Sequence, residues 1–298
     1  MSLPGCFVAT PAGRVFVHRG GKPGGAPLVL IHGWMMTHWY FRPLLDGLGA
    51  EHELFAIDLP GFGESDRPSP SAFAYGAAAF ADVVEAVMES LGLSRADVLG
   101  HSMGGGVAVA LAARHPERVQ RLIACAAAVY RLDIADPLAR LALLPVVGQH
   151  LARVGLTRRA FARACRAESV RDGRCLDDDW IDYFWARLRR AGGREAAHTC
   201  LVALTSAADN NGDPGRVRAP TLLVWGDEDR LVPMAHGKRL ARAIAGARLE
   251  VVPASGHMPF IERPDEFLRV VEPFLGAPAS PLAETPIPPR RAHSVSAQ

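Results

Sequence analysis

Lysine is nearly absent from this chain: of 33 cationic side chains only Lys22 and Lys238 are lysines, and the rest are arginines. With 31 acidic residues the net charge is +2, so a basic nucleic-acid-binding surface is excluded as an organising feature. The arginine bias reads as codon usage. Cysteine is sparse and scattered, at positions 6, 125, 165, 175 and 200, with no C-x-x-C spacing. An odd, unpatterned set argues against a disulfide framework or a metal centre and for reduced thiols in the cytoplasm. Apolar runs long enough to span a bilayer are missing, and Met1–Gly5 lacks the basic and apolar regions of a signal peptide. The expectation is a cytoplasmic protein with no membrane span and no nucleic-acid partner.

What the chain has is apolar content, 49% of 298 residues, ample for a sizeable core. Two short strands, 6–10 and 14–18, flank a hairpin turn at Pro11-Ala12-Gly13. Beyond them, the continuously apolar run at 28–31 and the largely apolar runs at 54–57, 96–99, 121–126 and 221–225 suit strands buried on both faces of a parallel sheet. A further strand is read at 248–252, and helical patterns at 39–48, 77–91, 107–113, 235–245 and 264–274 lie between or after the strands. The rhythm predicts an α/β fold with a mostly parallel, doubly wound sheet. It breaks between about Tyr130 and Asp209, where only helical pattern is present. The expected organisation is a core of residues 1–129 and 210–275, an inserted helical cap at 130–209, and a disordered tail at 276–298, rich in Pro, Ser and Ala.

One stretch concentrates the chemistry. Gly100-His101-Ser102-Met103-Gly104-Gly105 stands between an apolar strand and a small-residue helix, the context in which G-x-S-x-G becomes meaningful. A serine at the apex of so tight a turn needs neighbours without Cβ, which Gly100 and Gly104 supply, while Gly105 allows the helix to approach the sheet. A serine hydroxyl becomes a nucleophile only when a base takes its proton, and the base needs an orienting partner. His257 follows the last predicted strand and Asp229 the one before it, so all three open at the same sheet edge.

In order and spacing, His32-Gly33, Asp58-Leu59-Pro60-Gly61-x-Gly63-x-Ser65, the serine turn, Trp225-Gly226-x-x-Asp229 and Gly256-His257 resemble the α/β-hydrolase fold superfamily, over roughly residues 6–275. The resemblance implies a nucleophile at Ser102, a general base at His257 and an orienting acid at Asp229. It also implies an oxyanion hole made by the backbone N–H groups of Trp34 and Met103, each worth roughly 3 kcal/mol of barrier. Asp227 and Glu228 then read as loop carboxylates, Asp133 as a position that some relatives use for the acid, His32 as a loop-fixing residue, and Asp58 and Ser65 as a turn. No metal and no cofactor is called for.

The serine sets this chain apart from haloalkane dehalogenases and epoxide hydrolases, which need Asp there. Carbon–carbon hydrolases of vinylogous diketones usually carry Asn where His101 stands, and prolyl iminopeptidases a Gly-Gly-Ser-Trp turn. The implied activity is therefore hydrolysis of a carboxylic ester or lactone of small-molecule size. A carbon–carbon hydrolase, an acyltransferase or other biosynthetic enzyme, and a perhydrolase are the alternatives; a non-catalytic binding member is disfavoured by the complete set. In the expected cap, Leu141, Leu143, Leu144, Val146 and Val147 suggest an apolar underside for the substrate, together with Phe184. Arg158, Arg159, Arg163 and Arg166 suggest a mixed-charge surface, an acidic acyl carrier being the secondary reading.

Overall fold

The computed structural model describes residues 5–132, 140, 143–206 and 212–277. Eight strands form one sheet: β1 (Gly5–Thr10), β2 (Gly13–Gly21), β3 (Ala26–Ile31), β4 (His52–Ile57), β5 (Ala96–His101), β6 (Val119–Cys125), β7 (Thr221–Gly226) and β8 (Arg248–Val252). Their order across the sheet is β1-β2-β4-β3-β5-β6-β7-β8. The first two are antiparallel to their neighbours, as a hairpin demands, and every pairing from β4 onward is parallel. Leu28–Ile31 and Val98–Leu99 are fully buried, because helices cover both faces of these central strands.

The chain leaves β3 for β4 on one side and later returns to place β5 on the other. Beside β3 and β5 the winding reverses, and their carboxyl ends open the crevice where α/β sheets bind ligands. Helices α1 (Leu45–Gly49), α2 (Ala77–Ser90) and α3 (Met103–Arg114) follow in order. The helix expected at 39–48 divides into a 3₁₀ segment, His38–Leu44, and the short α1. Pro43 inside that segment has no N–H to give an α-helical bond. Helix α3 lies against the sheet with every residue from Met103 to Ala113 buried.

Between β6 and β7 the described residues hold no strand, only helices: α4 (Pro145–Val154), α5 (Arg158–Ala164), a π-turn at Cys165–Ser169, α6 (Asp178–Leu188) and α7 (Gly193–Thr205). Asp177 caps α6 by accepting from the Trp180 N–H at 2.7 Å. The buried face of α6 carries Trp180, Ile181, Phe184 and Leu188, the spacing of one helical stripe. That stripe meets the 3₁₀ segment, where Phe184 packs against Trp39 and Tyr40. Arg67, in the loop after β4, donates to the carbonyls of Gly63 and Ser65 and reaches that of Arg187, binding α6 to the main sheet. The chain closes with α8 (Met234–Ala243), α9 (Pro259–Glu262) and α10 (Pro264–Gly276). Gly276 thus ends a helix, and residues 278–298 of the expected tail lie outside the described residues. No helix among the described residues is long and apolar enough to cross a membrane.

Candidate active site

Ser102 sits between β5 and α3 at φ 56° and ψ −119°, a left-handed region that costs a non-glycine residue about 1–3 kcal/mol. Its backbone is held on both sides. Its N–H donates to Cys125 O at 2.9 Å, and its carbonyl accepts from Ala128 and Gly106. The glycines are sterically required. A Cβ on Gly104 would stand 2.2 Å from the Ile31 carbonyl oxygen, and one on Gly100 2.2 Å from that of Gly104. The turn therefore holds the serine side chain over the helix N-terminus, where partial positive charge favours an anion.

The loops after β7 and β8 bring the other two groups to it. His257 Nε2 lies 2.8 Å from Ser102 Oγ, and His257 Nδ1 lies 2.8 Å from Asp229 Oδ2. Asp229 Oδ1 accepts from the N–H groups of Leu231 and Val232, both at 2.9 Å, which fixes the carboxylate. A carboxylate only accepts, so the imidazole proton stays on Nδ1 and Nε2 presents its lone pair to the serine. The Asp229 side chain is fully buried. Its acidic neighbours are turned elsewhere. Asp227 accepts from the Ser255 N–H, and Glu228 pairs with Arg171 at 2.6 Å. Asp133 lies outside the described residues.

His32 hydrogen-bonds within its loop. Its Nε2 accepts from the Leu59 N–H at 3.0 Å, and its Nδ1 donates to Gly33 O at 2.7 Å, which sets the path of Gly33-Trp34. Asp58 Oδ2 accepts from the Glu64 N–H, and Ser65 Oγ accepts from Phe16 while donating to Asp58 O, so both residues fix the turn expected of them. Met103 begins α3, so its amide has no acceptor within the helix. Neither that amide nor the Trp34 amide donates to a protein acceptor among the described residues. The Trp34 indole N–H donates instead to Ala197 O on α7 at 2.8 Å.

A cavity of about 160 Å³ opens at Ser102. Its lining comes from the loop Gly33–Met36 with Tyr40, from Ala164, Cys165 and Ser169 of α5 and the π-turn, and from Leu231 and Met258. Glu168 stands at the exposed rim. The apolar underside expected of the inserted helices is therefore misplaced. Leu144 and Val147 are 47% and 44% exposed, and Leu143 lines none of this cavity. Leu141 and the Val146 side chain lie outside the described residues. Phe184 packs on α6 against core aromatics, because its stripe faces the 3₁₀ segment. Met103 lines a separate, narrow space of about 20 Å³ with Tyr75, Phe80 and Leu204. Helical periodicity carried no signal for Tyr40 or Cys165 as cavity residues, since both read as ordinary core.

His101, beside the nucleophile, is buried, and its ring centroid lies 4.7 Å from that of His257. Burial, with His257 close by, holds it well below the usual histidine range, and burial likewise lowers His32. Both stay neutral in the folded state, whereas in the unfolded chain they take up protons below about pH 6.5. The unfolded state then binds more protons, so stability is lost as pH falls below that value. The reversible melting temperature is expected to drop between pH 7 and pH 5; a flat profile over that window would contradict the neutral assignment.

A family model described as the alpha/beta hydrolase fold matches residues 26–264. The chain belongs to that family. Among α/β-hydrolase relatives, a pimeloyl-[acyl-carrier protein] methyl ester esterase from Neisseria meningitidis is 31% identical over 258 residues, covering 83% of this chain and 92% of that one. A 2-hydroxymuconate semialdehyde hydrolase from Pseudomonas sp. (strain CF600) is also 31% identical, over 275 residues, with 88% and 90% covered. Of solved α/β-hydrolase structures, the enol-lactonase from Burkholderia xenovorans LB400 superposes with a TM-score of 0.77 at 25% identity, covering 91% of this chain and all of that one. Proteins similar to this chain thus include a methyl ester esterase, a semialdehyde hydrolase and an enol-lactonase.

Proposed function

We propose that this hydrolase cleaves small carboxylic esters through an acyl-enzyme on Ser102. The observation that carries the reading is the continuous relay from Ser102 Oγ through His257 to the buried Asp229, with both links at 2.8 Å. Ser102 Oγ attacks the ester carbonyl while its proton passes to His257 Nε2. The amides of Trp34 and Met103 receive the oxyanion. Collapse of the tetrahedral adduct expels the alcohol, which takes the proton from His257. Water then attacks the acyl-enzyme, with His257 again as base, and Ser102 is restored. Asp229 holds the imidazole tautomer throughout and steadies the imidazolium.

The helices between β6 and β7 act in this reading as a cap on a core of residues 1–129 and 210–275. They supply one wall of the acyl cavity and no group to the chemistry. Ester over carbon–carbon cleavage is favoured by the walls: no Arg or Lys lines the cavity among the described residues, and Glu168 stands at its rim. An anionic dienoate would find no cation there. Carbon–carbon cleavage is the second reading, supported by the 31% identical semialdehyde hydrolase. An acyl-carrier partner gains little from Arg158 and Arg166, which are already paired with Asp178, Arg158 also with Asp182, and only Arg159 and Arg163 of the cluster are left for it. The cytoplasmic setting rests on five unpaired thiols.

A panel of aryl esters from acetate to octanoate, run beside a vinylogous diketone acid, tests the assignment. A cavity near 160 Å³ holds a group of about benzene size, so kcat/KM should rise through butyrate and then level or fall. Each methylene buried before that point should contribute roughly 0.8 kcal/mol. A fluorophosphonate should label Ser102 alone. Turnover of the diketone without turnover of any ester would reverse the assignment.

A further inference from the structure

Glu262, a side chain that the chemistry leaves unused, ties the loop of the catalytic base to the segment that follows the π-turn. It ends α9, five residues after His257. Its Oε1 accepts from the Gly256 N–H at 2.8 Å, and its Oε2 from the Arg171 N–H at 2.6 Å. Gly256 immediately precedes His257, and Arg171 lies two residues beyond the π-turn whose Cys165 and Ser169 line the Ser102 cavity. Both partners are main-chain groups, so one carboxylate fixes the backbone of two separate segments. Hydrogen bonds from N–H groups to an ionised carboxylate are stronger than those to a neutral acceptor.

The two segments also touch. A Cβ on Gly256 would stand 2.9 Å from Arg171 N and 3.0 Å from the Val170 carbonyl carbon, so the His257 loop lies directly on the Val170–Arg171 backbone, and Glu262 spans that seam. Burial raises Glu262 above the usual carboxylate range, opposed by the N–H groups of Arg171, Gly256, Met258 and Asp172. Two further ties run from the same stretch to the residues on either side of Asp229. Arg171 Nε donates to Glu228 Oε1 at 2.6 Å, and Arg230 donates to Ala167 O at 3.1 Å. The Arg171 and Glu228 side chains are 48% and 42% exposed, and ion pairs so open to water hold little. The other grip on the His257 loop is His101 of β5, whose Nε2 donates to the His257 carbonyl at 2.7 Å.

We propose that Glu262 is a positioning residue for the reaction: by locking the His257 loop to the Val170–Arg171 backbone, it holds the imidazole in line between Ser102 and Asp229. This rests on the reading of Ser102 as the nucleophile. The relay is sensitive to such a hold, because one ring must keep both of its 2.8 Å links at once. Displacing a reacting group by about 1 Å can cost on the order of 10²-fold in rate. The seam also joins the base to the stretch that lines the cavity, so the lining from the π-turn and the imidazole are held as one body.

Glu262→Gln tests this, since it keeps the size of the side chain but turns one acceptor into an NH2 group that faces an N–H. On 4-nitrophenyl acetate, kcat per phosphonate-titrated site should fall roughly 10- to 100-fold while KM stays within about threefold. The second-order rate of phosphonate labelling should fall by a similar factor, because labelling also needs His257 to take the Ser102 proton. The proton between His257 Nδ1 and Asp229, followed by NMR in the free enzyme, should broaden or move upfield. Gly256→Ala, which forces the seam open and keeps the carboxylate, is the second variant and should give the same pattern. Because both break one seam, the double variant should cost no more than about threefold beyond the worse single one. Glu228→Gln, which cuts the exposed tie of the same stretch, should stay within about twofold of the parent enzyme. A merely structural role would lower the number of titrated sites and leave kcat per site unchanged. That result in both variants, losses that multiply in the double variant, or an equal loss in Glu228→Gln would overturn the proposal. Slowed labelling and an altered His257 proton in Glu262→Gln, with no ester turned over by the parent enzyme, would sustain the positioning role and overturn the esterase reading instead.

Discussion

Ser102→Ala should lower ester turnover by about 10⁴- to 10⁶-fold, with the melting temperature nearly unchanged. The size of the loss follows from the relay. Without Oγ no acyl-enzyme forms, and the residual rate is that of water in a cavity that still binds the ester and its oxyanion. The fold should survive because the side chain makes one hydrogen bond, to His257, while the backbone bonds to Cys125, Gly106 and Ala128 are indifferent to it. Alanine also tolerates the φ of 56° no worse than serine. Initial rates on the best aryl ester, with the serine enzyme's active sites counted by phosphonate titration and the folded variant's concentration by absorbance, give the measurement. Retention of more than a few per cent of activity would remove Ser102 from the mechanism.

Asp229→Asn comes next in expected effect, at about 10³- to 10⁴-fold in turnover. The asparagine oxygen will keep the Leu231 and Val232 amides, since those are donors, and its NH2 must then face His257 Nδ1. A donor at that position drives the ring proton to Nε2, which turns an N–H toward Ser102 and cannot take its proton. Asp227→Asn and Glu228→Gln should cost little, because their partners are the Ser255 amide and Arg171. Asp133→Asn should also cost little. If it cost more than Asp229→Asn, the orienting acid would have been misplaced.

Much of this arrangement is legible from residue order because backbone geometry restricts what can occupy it. The serine turn admits only glycine at 100 and 104, where a Cβ would overlap carbonyl oxygens, and a buried parallel strand must be apolar throughout, as Leu28–Ile31 is. These are local constraints, and local constraints show in the sequence. The wall of the cavity is not local. Tyr40 reaches it from a 3₁₀ segment whose form depends on Pro43, and Cys165 from a π-turn, a shape that no apolar period announces. The expected lining at Leu144 and Val147 failed for the same reason. Amphipathic pattern reports that a helix has an apolar face, and tertiary packing decides what that face meets. The mixed-charge surface around Arg158 and Arg166 was legible from the acidic residues near them in the chain; the particular pairing with Asp178 and Asp182 of α6 is set by packing.

The bond from the Trp34 indole to Ala197 O has a consequence for engineering. Exchanging the segment between β6 and β7 for that of a relative is the obvious way to transplant a substrate preference. Here the same exchange would put at risk the position of the main-chain carbonyl that anchors Trp34, whose own amide is one of the two proposed oxyanion donors. The graft would also shift the Arg187 main-chain carbonyl that Arg67 reaches from the loop after β4. A chimera designed only for the cavity wall would therefore inherit a loosened reaction centre. Successful grafts will be those that retain α7 intact and replace α5 and the π-turn alone.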